Sequence, residues 1–363
     1  MRQKSFVSLL GVAALCTVLT GCIGIGPATV ARDRFDYTTA VADSWKRQML
    51  LNIIKIRYGD APIFLDVASI INQYQLTTDL NASFGWQYPF GVGIGPANSQ
   101  KLGIDGNFVD RPTVTYTPLT GESFARKMMT PIAPVTVMSL VEAGYPIDVV
   151  FRILVQSVNG IQNSYGGAAR ARKADPEFYT LLELLRQNQA SGAVALRVKK
   201  TEDEGGALVM IFRKRVDKEV EKRAREVRRL IGLKEDIREF RVVYGAEPAN
   251  DEEIALLTRS IIEILTDISA TAEVPAAHVA EQRVLPTMEL EGEGIKGAMV
   301  RILYSREKPR DDFAAVPYRD CWFWIDDRDY KSKKLFSFLM FIMTLTETGG
   351  KEGAPIVTIN AGG

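Results

Sequence analysis

From Tyr74 to Ile94 the chain alternates with a period of two. Tyr74, Leu76, Thr78, Leu80, Ala82, Phe84, Trp86, Tyr88, Phe90, Val92 and Ile94 take every second position, with Gln, Thr, Asp, Asn, Ser, Gly and Pro between them. Successive side chains of an extended strand point to opposite faces, so this pattern predicts one apolar and one polar face. Gly95-Pro96-Ala97-Asn98-Ser99 then reads as a turn, and Leu102, Ile104, Phe108, Val114 and Tyr116 as a return strand. Residues 70–118 are expected to form a long antiparallel hairpin.

Two accounts of that hairpin compete. In one, its apolar face packs on the rest of the protein and its polar face meets water, as antiparallel sheets commonly arrange. In the other, the apolar face meets lipid and the polar face lines a wet lumen, with Trp86 and Tyr88 in the aromatic girdle. Two strands cannot close a barrel, and open edges are not tolerated in hydrocarbon, so the second account demands a homo-oligomer. A strand over all of 74–94 would reach about 70 Å, well beyond the ~25 Å apolar band of such a barrel, and Pro89 weakens a central strand. Phe84, Trp86, Tyr88 and Phe90 are the candidate membrane or partner contacts.

Ahead of the hairpin, Tyr37, Val41, Trp45, Met49, Ile53 and Ile56 fall on one helical face over 36–57, and Tyr58-Gly59-Asp60-Ala61-Pro62 stops that helix. Residues 134–158 suggest two short buried helices broken at Gly144-Tyr145-Pro146. Ser164-Tyr165-Gly166-Gly167, with Arg170, Arg172 and Lys173, reads as a linker or an anion-binding loop. Asp175-Pro176-Glu177 has the residues of a helix start. Beyond it, strands are expected at 194–198, 207–212, 240–244, 300–304, 321–325 and 356–359. Helices are expected at 217–230, from Asp251 through Leu265, and at 332–345. The fold class is α+β: an N-terminal helix, a long hairpin and short helices, then a mixed α+β domain. The expected division is 1–21 signal peptide, 22–35 lipidated tether, 36–175 helix and hairpin domain, and 176–363 α+β domain.

The first residues set the location. Arg2 and Lys4 precede an apolar run from Phe6 to Leu19, and the small pair Thr20-Gly21 leads to Cys22. This is the charged, apolar and small-residue order of a secretory signal, too short to span a bilayer comfortably at ~20 apolar residues. Leu19-Thr20-Gly21-Cys22 resembles the lipobox of bacterial lipoproteins. The resemblance implies cleavage between Gly21 and Cys22, a diacylglyceryl thioether on Cys22 and acylation of its new amino group. Several acyl chains at ~0.8 kcal/mol per buried methylene anchor firmly. By the sorting rule of enteric lipoproteins, Ile23 after the cysteine directs the chain to the outer membrane, facing the periplasm. The alternative is an ordinary cleaved signal with an incidental cysteine.

Composition narrows the function classes. The chain of 363 residues is 46% hydrophobic and 25% charged, with a net charge of +1, which argues against general attraction to nucleic acid. Of its three cysteines, Cys16 leaves with the signal and Cys22 carries lipid, so Cys321 has no intrachain partner and reads as a core thiol. With one histidine, His278, zinc sites of the Cys/His kind are excluded. No cofactor, metal site or catalytic residue is expected.

The weaker signals have bland readings beside them. Ser305-Arg306-Glu307-Lys308 matches a serine–lysine spacing but follows a strand, Asp326-Asp327-Arg328-Asp329 reads as a helix start before a cation site, and His278 lies in an expected loop. Arg213 to Arg229 is basic but interleaved with acids, so pairs Glu219/Arg223 and Glu221/Arg225 suggest a solvated helix, with a partner helix or anionic headgroups as the alternative.

The first reading is therefore a non-enzymatic lipid-anchored envelope protein, with membrane lipid and other envelope proteins as partners. An oligomeric outer-membrane pore or export accessory built from the 70–118 hairpin is the alternative. Its architecture, though none of its motifs, is similar to the curli-secretion lipoproteins. An envelope-polymer hydrolase comes third.

Overall fold

The computed structural model describes residues 25–71, 74–84, 100–110, 113–167, 171–199, 207–213, 216–290, 297–347 and 357–360. The described residues fall into two compact units: 25–43, those within 65–118 and 357–360 in the first, and 44–64 with those from 119 to 347 in the second. The class is α+β.

Helix α1 runs Ile25–Arg57, so it begins earlier than the expected start at 36. Pro27 sits in its first turn, where a missing N–H costs nothing, and no breaker follows until Gly59. At the other end Gly59 takes φ 77°, its N–H bonds the Ile56 carbonyl and the Asp60 N–H bonds that of Lys55. These two bonds make the Schellman stop that the sequence predicts.

The first unit holds the hairpin. Strands β1 (Phe64–Ile71), β2 (Tyr74–Phe84), β3 (Gln100–Asp110) and β4 (Thr113–Leu119) follow in order. β2 and β3 pair antiparallel, and β1 and β4 neighbour each other in a second sheet. The last strand in the chain, Val357–Asn360, adds antiparallel to β4, with Val357 opposite Tyr116.

The second unit begins, after α1, with three short helices: α2 (Glu122–Met129), α3 (Pro134–Glu142) and α4 (Ile147–Leu154). The chain then turns extended as β5 (Val155–Val158) and β6 (Ile161–Gln162), a correction to the expected helix through 158. Val155 is β-branched and fully buried in the sheet, which outweighs the helical spacing of the preceding residues. Helix α5 (Pro176–Ala190) starts with Pro at its first position as expected. Asp175 does not cap it; its carboxylate instead accepts the Gln162 N–H at 2.8 Å.

The hairpin β7 (Val194–Lys199) and β8 (Ala207–Phe212), helix α6 (Lys218–Leu230) and strand β9 (Glu239–Tyr244) then form as the sequence predicts. Glu253–Thr258 forms strand β10, not the opening of a helix. Ile254, Ala255 and Leu256 are all at most 2% exposed and lie between β9, which runs parallel, and β5, which runs antiparallel. A continuous apolar run in a central strand carries no period, which is why Ile254, Leu257 and Ile261 imitate one helical face. The helix starts only at α7 (Ile261–Ala270). There Ser260 and Glu263 form a reciprocal capping box. The six-stranded sheet runs β6-β5-β10-β9-β8-β7 and so draws strands from both sides of residue 175.

A five-residue helix α8 (Ala276–Ala280) precedes a three-stranded sheet of β11 (Leu303–Ser305), β12 (Asp312–Tyr318) and β13 (Cys321–Asp326), with β13 central. Cys321, Phe323 and Ile325 share its buried face. Helix α9 (Tyr330–Glu347) packs on β13. Among the described residues no helix is long and apolar enough to cross a membrane.

Candidate functional site

The β2–β3 ladder aligns eleven residue pairs without a break, from Tyr74 opposite Asp110 to Phe84 opposite Gln100. Residues directly opposite each other in an antiparallel pair share a face. The register therefore sets Leu76, Leu80 and Ala82 on the same face as Phe108, Ile104 and Leu102. Thr77, Asp79, Asn81 and Ser83 share the other with Asn107, Asp105, Gly103 and Lys101. Of the candidate contact residues, Phe84 ends β2; Trp86, Tyr88 and Phe90 lie outside the described residues. Gly21 and Cys22 lie outside them as well.

Three polar clusters occupy the second unit. The first gathers at the end of α1. Tyr58 is 7% exposed, and its hydroxyl lies 2.7 Å from Nδ1 of the buried His278 on α8. Arg319 places its guanidinium 5.0 Å from the Tyr58 ring centre and 5.6 Å from that of Tyr318. Asp60 accepts hydrogen bonds from the Tyr318 hydroxyl and, at 3.3 Å, from Arg319. Arg319 holds φ 51° in the turn between β12 and β13, a left-handed conformation that costs a non-glycine residue about 1–2 kcal/mol.

Burial, helped by Cys321, pushes the Tyr58 phenol up to about 12, so it stays protonated near neutrality. The Tyr318 hydrogen bond, reinforced by Arg319, holds Asp60 below its ordinary value. His278 thus has a partner 220 residues away that no local motif announces, in a short helix where a loop was expected.

The second cluster answers the anion-loop reading of 164–167. Asp267 on α7 accepts from Arg259 at 2.8 Å and from the Gly166 N–H at 2.7 Å, and lies 3.8 Å from Arg152. Arg259 is fully buried and also donates to the Ser164 carbonyl. The anion that this loop holds is the chain's own Asp267. Gly166 is required for close approach, since a Cβ there would collide with Ala270. Arg172 bonds the Asn163 carbonyl at 2.9 Å, and Arg170 lies outside the described residues.

The third lies on α6. Glu221 accepts from Arg238 at 2.8 Å, Arg228 at 3.1 Å and Arg225 at 3.5 Å. Burial raises its pKa, and the hydrogen bonds from Arg238 and Arg228 outweigh that and hold it low. Of the two pairs expected from sequence, Glu221/Arg225 forms. Arg223 instead keeps a buried Nε without a hydrogen-bond partner.

The remaining motifs have local explanations. Ser305 donates to the Glu307 carbonyl at 2.6 Å and Lys308 lies 5.8 Å from the Trp322 ring centre, so they do not face each other as a serine–lysine pair. Asp326 pairs with Arg328, Asp327 with Lys333, and Asp329 caps α9 by accepting the Ser332 N–H at 3.0 Å. Cys321 is 8% exposed, and burial pushes its thiol up. Among the described residues no group of His, Cys, Asp and Glu could hold a metal ion.

No protein-family model matches the chain, and no match to it is found among curated proteins or solved structures.

Proposed function

We propose that the chain is a lipid-anchored lipoprotein of the outer membrane that binds or scaffolds other envelope components and carries no catalytic site. Acyl chains on Cys22 hold it, and the two-faced hairpin is the surface it offers to a partner. The observation that carries this reading is the unbroken β2–β3 register, which holds the period-two alternation of Tyr74–Phe84 in one continuous ladder. Two features support it: the run Leu19-Thr20-Gly21-Cys22, and the engagement of the buried titratable groups in structural pairs, Tyr58 with His278 and Arg259 with Asp267.

One feature favours a second reading, the oligomeric pore or export accessory. Each strand of the ladder is eleven residues long, about 36 Å at ~3.3 Å per residue, enough to cross a ~25 Å apolar band. Size in mild detergent separates the two. A monomer with Trp86 open to an aqueous quencher supports the scaffold and ends the pore; a ring with Trp86 shielded does the reverse.

A further inference from the structure

Helix α6 turns one cationic face outward. Lys218, Lys222, Arg225 and Arg229 recur at four-, three- and four-residue intervals, so they line one side of the helix over ~16 Å. All four are exposed, while Val220, Ala224 and Val227 bury the opposite side. The four border a groove of about 910 Å³ whose wall also includes Arg238, Val216 and the carboxylates of Glu219, Glu221 and Glu226. Glu221 is already engaged by Arg225, Arg228 and Arg238. Arg229 reaches Glu235 only at 3.4 Å, and Lys218 and Lys222 form no ion pair among the described residues.

Behind this face stands a buried cation that shares its one carboxylate, Glu221, with Arg225 and Arg238. Arg228 is 1% exposed, reaches Glu221 through Nη2 at 3.1 Å, and leaves Nε and Nη1 without hydrogen-bond partners. Its guanidinium lies 5.2 Å from the Phe212 ring centre, which stabilises the charge without cancelling it. A buried, incompletely paired arginine acts through low dielectric, so its field reaches the groove with little screening.

We propose that the α6 groove docks the phosphate-bearing headgroups of the membrane that carries the anchor. The inference rests on the lipid-anchored reading, because the acyl chains keep headgroups at high local concentration beside the protein. The cations make the first contact and a headgroup phosphate lies along them; the hydrogen bonds of Glu221 stay in place.

The test uses the full chain carrying Cys22→Ser, which cannot take the acyl anchor. It is sedimented with vesicles of phosphatidylcholine alone or with about 30% phosphatidylglycerol. Each Lys or Arg at an anionic surface contributes about fivefold. The chain is expected to bind the anionic vesicles, and replacing Lys218, Lys222, Arg225 and Arg229 by Gln to lower that binding about six hundredfold with an unchanged melting temperature. Glu219→Gln with Glu226→Gln is expected to strengthen it. Equal binding to neutral vesicles, or anionic binding untouched by either set of variants, overturns the proposal. So does loss of vesicle binding on adding millimolar inorganic phosphate at matched ionic strength, which would assign the groove to free phosphate. Palmitate labelling of the wild-type chain reads the anchor separately: a labelled chain with an inert groove sinks only this inference, and an unlabelled chain that binds anionic vesicles sinks only the anchor.

Discussion

The Tyr58 hydroxyl and Nδ1 of His278 lie 2.7 Å apart in the interior of the second unit, joining the end of α1 to α8 across 220 positions of sequence. The bond closes a group that also holds Tyr318, Arg319 and Asp60, so it fixes the helix end against the β12–β13 turn. Replacing Tyr58 by Phe strands a buried imidazole nitrogen. The expected loss is about 1–3 kcal/mol, read by denaturant unfolding.

The same phenol makes stability depend on alkaline pH. Its pKa rises from 10.0 unfolded to about 12 folded, so its contribution is whole below pH 10 and disappears as pH climbs toward 12. Unfolding free energy measured across that window should fall more steeply for wild type than for Tyr58→Phe. Parallel slopes in the two proteins would remove Tyr58 as the cause.

Asp267 is the shared carboxylate of two buried arginines. Asp267→Asn leaves Arg152 and Arg259 without their counter-charge, at a cost of about 3–5 kcal/mol. Because that variant can fail to fold, the informative partner is a chain with Arg152→Met, Arg259→Met and Asp267→Leu together, which removes the charges and is expected to recover part of the loss, the Gly166 N–H and Ser164 carbonyl staying without their partners. A triple variant as unstable as Asp267→Asn would show that the ion cluster is not the source of the loss.

Gly166 and Ala270 compete for one space. Gly166→Ala should destabilise by about 1–3 kcal/mol through overpacking, and Ala270→Gly in the same chain should recover part of it. Simple additivity of the two changes in a melting experiment would contradict the close approach.

Regular elements with a clean period were legible in the sequence. The alternation from Tyr74 announced β2, the Gly59 stop closed α1, and Pro176 opened α5. Two kinds of element were not. β10 is buried on both faces, so Ile254 to Leu257 carries no period and its flanking apolar residues imitate a helix. β12 contains Pro317, which speaks against a strand unless that strand lies at an edge, as β12 does beside β13. The polar clusters were the least legible part. Asp60 meets Tyr318, and Arg259 meets Ser164, only after the chain has folded, and no spacing rule links residues that far apart.

Retention of the proposed lipoprotein at its membrane depends most on the lipid at Cys22. The direct measurement is incorporation of labelled palmitate by cells expressing the chain, with mass analysis of the mature amino terminus. Label in wild type, an acylated Cys22 as the first residue and no label in Cys22→Ser are the results predicted. A wild-type chain that takes no palmitate, or a Cys22→Ser chain labelled as strongly as wild type, would contradict it.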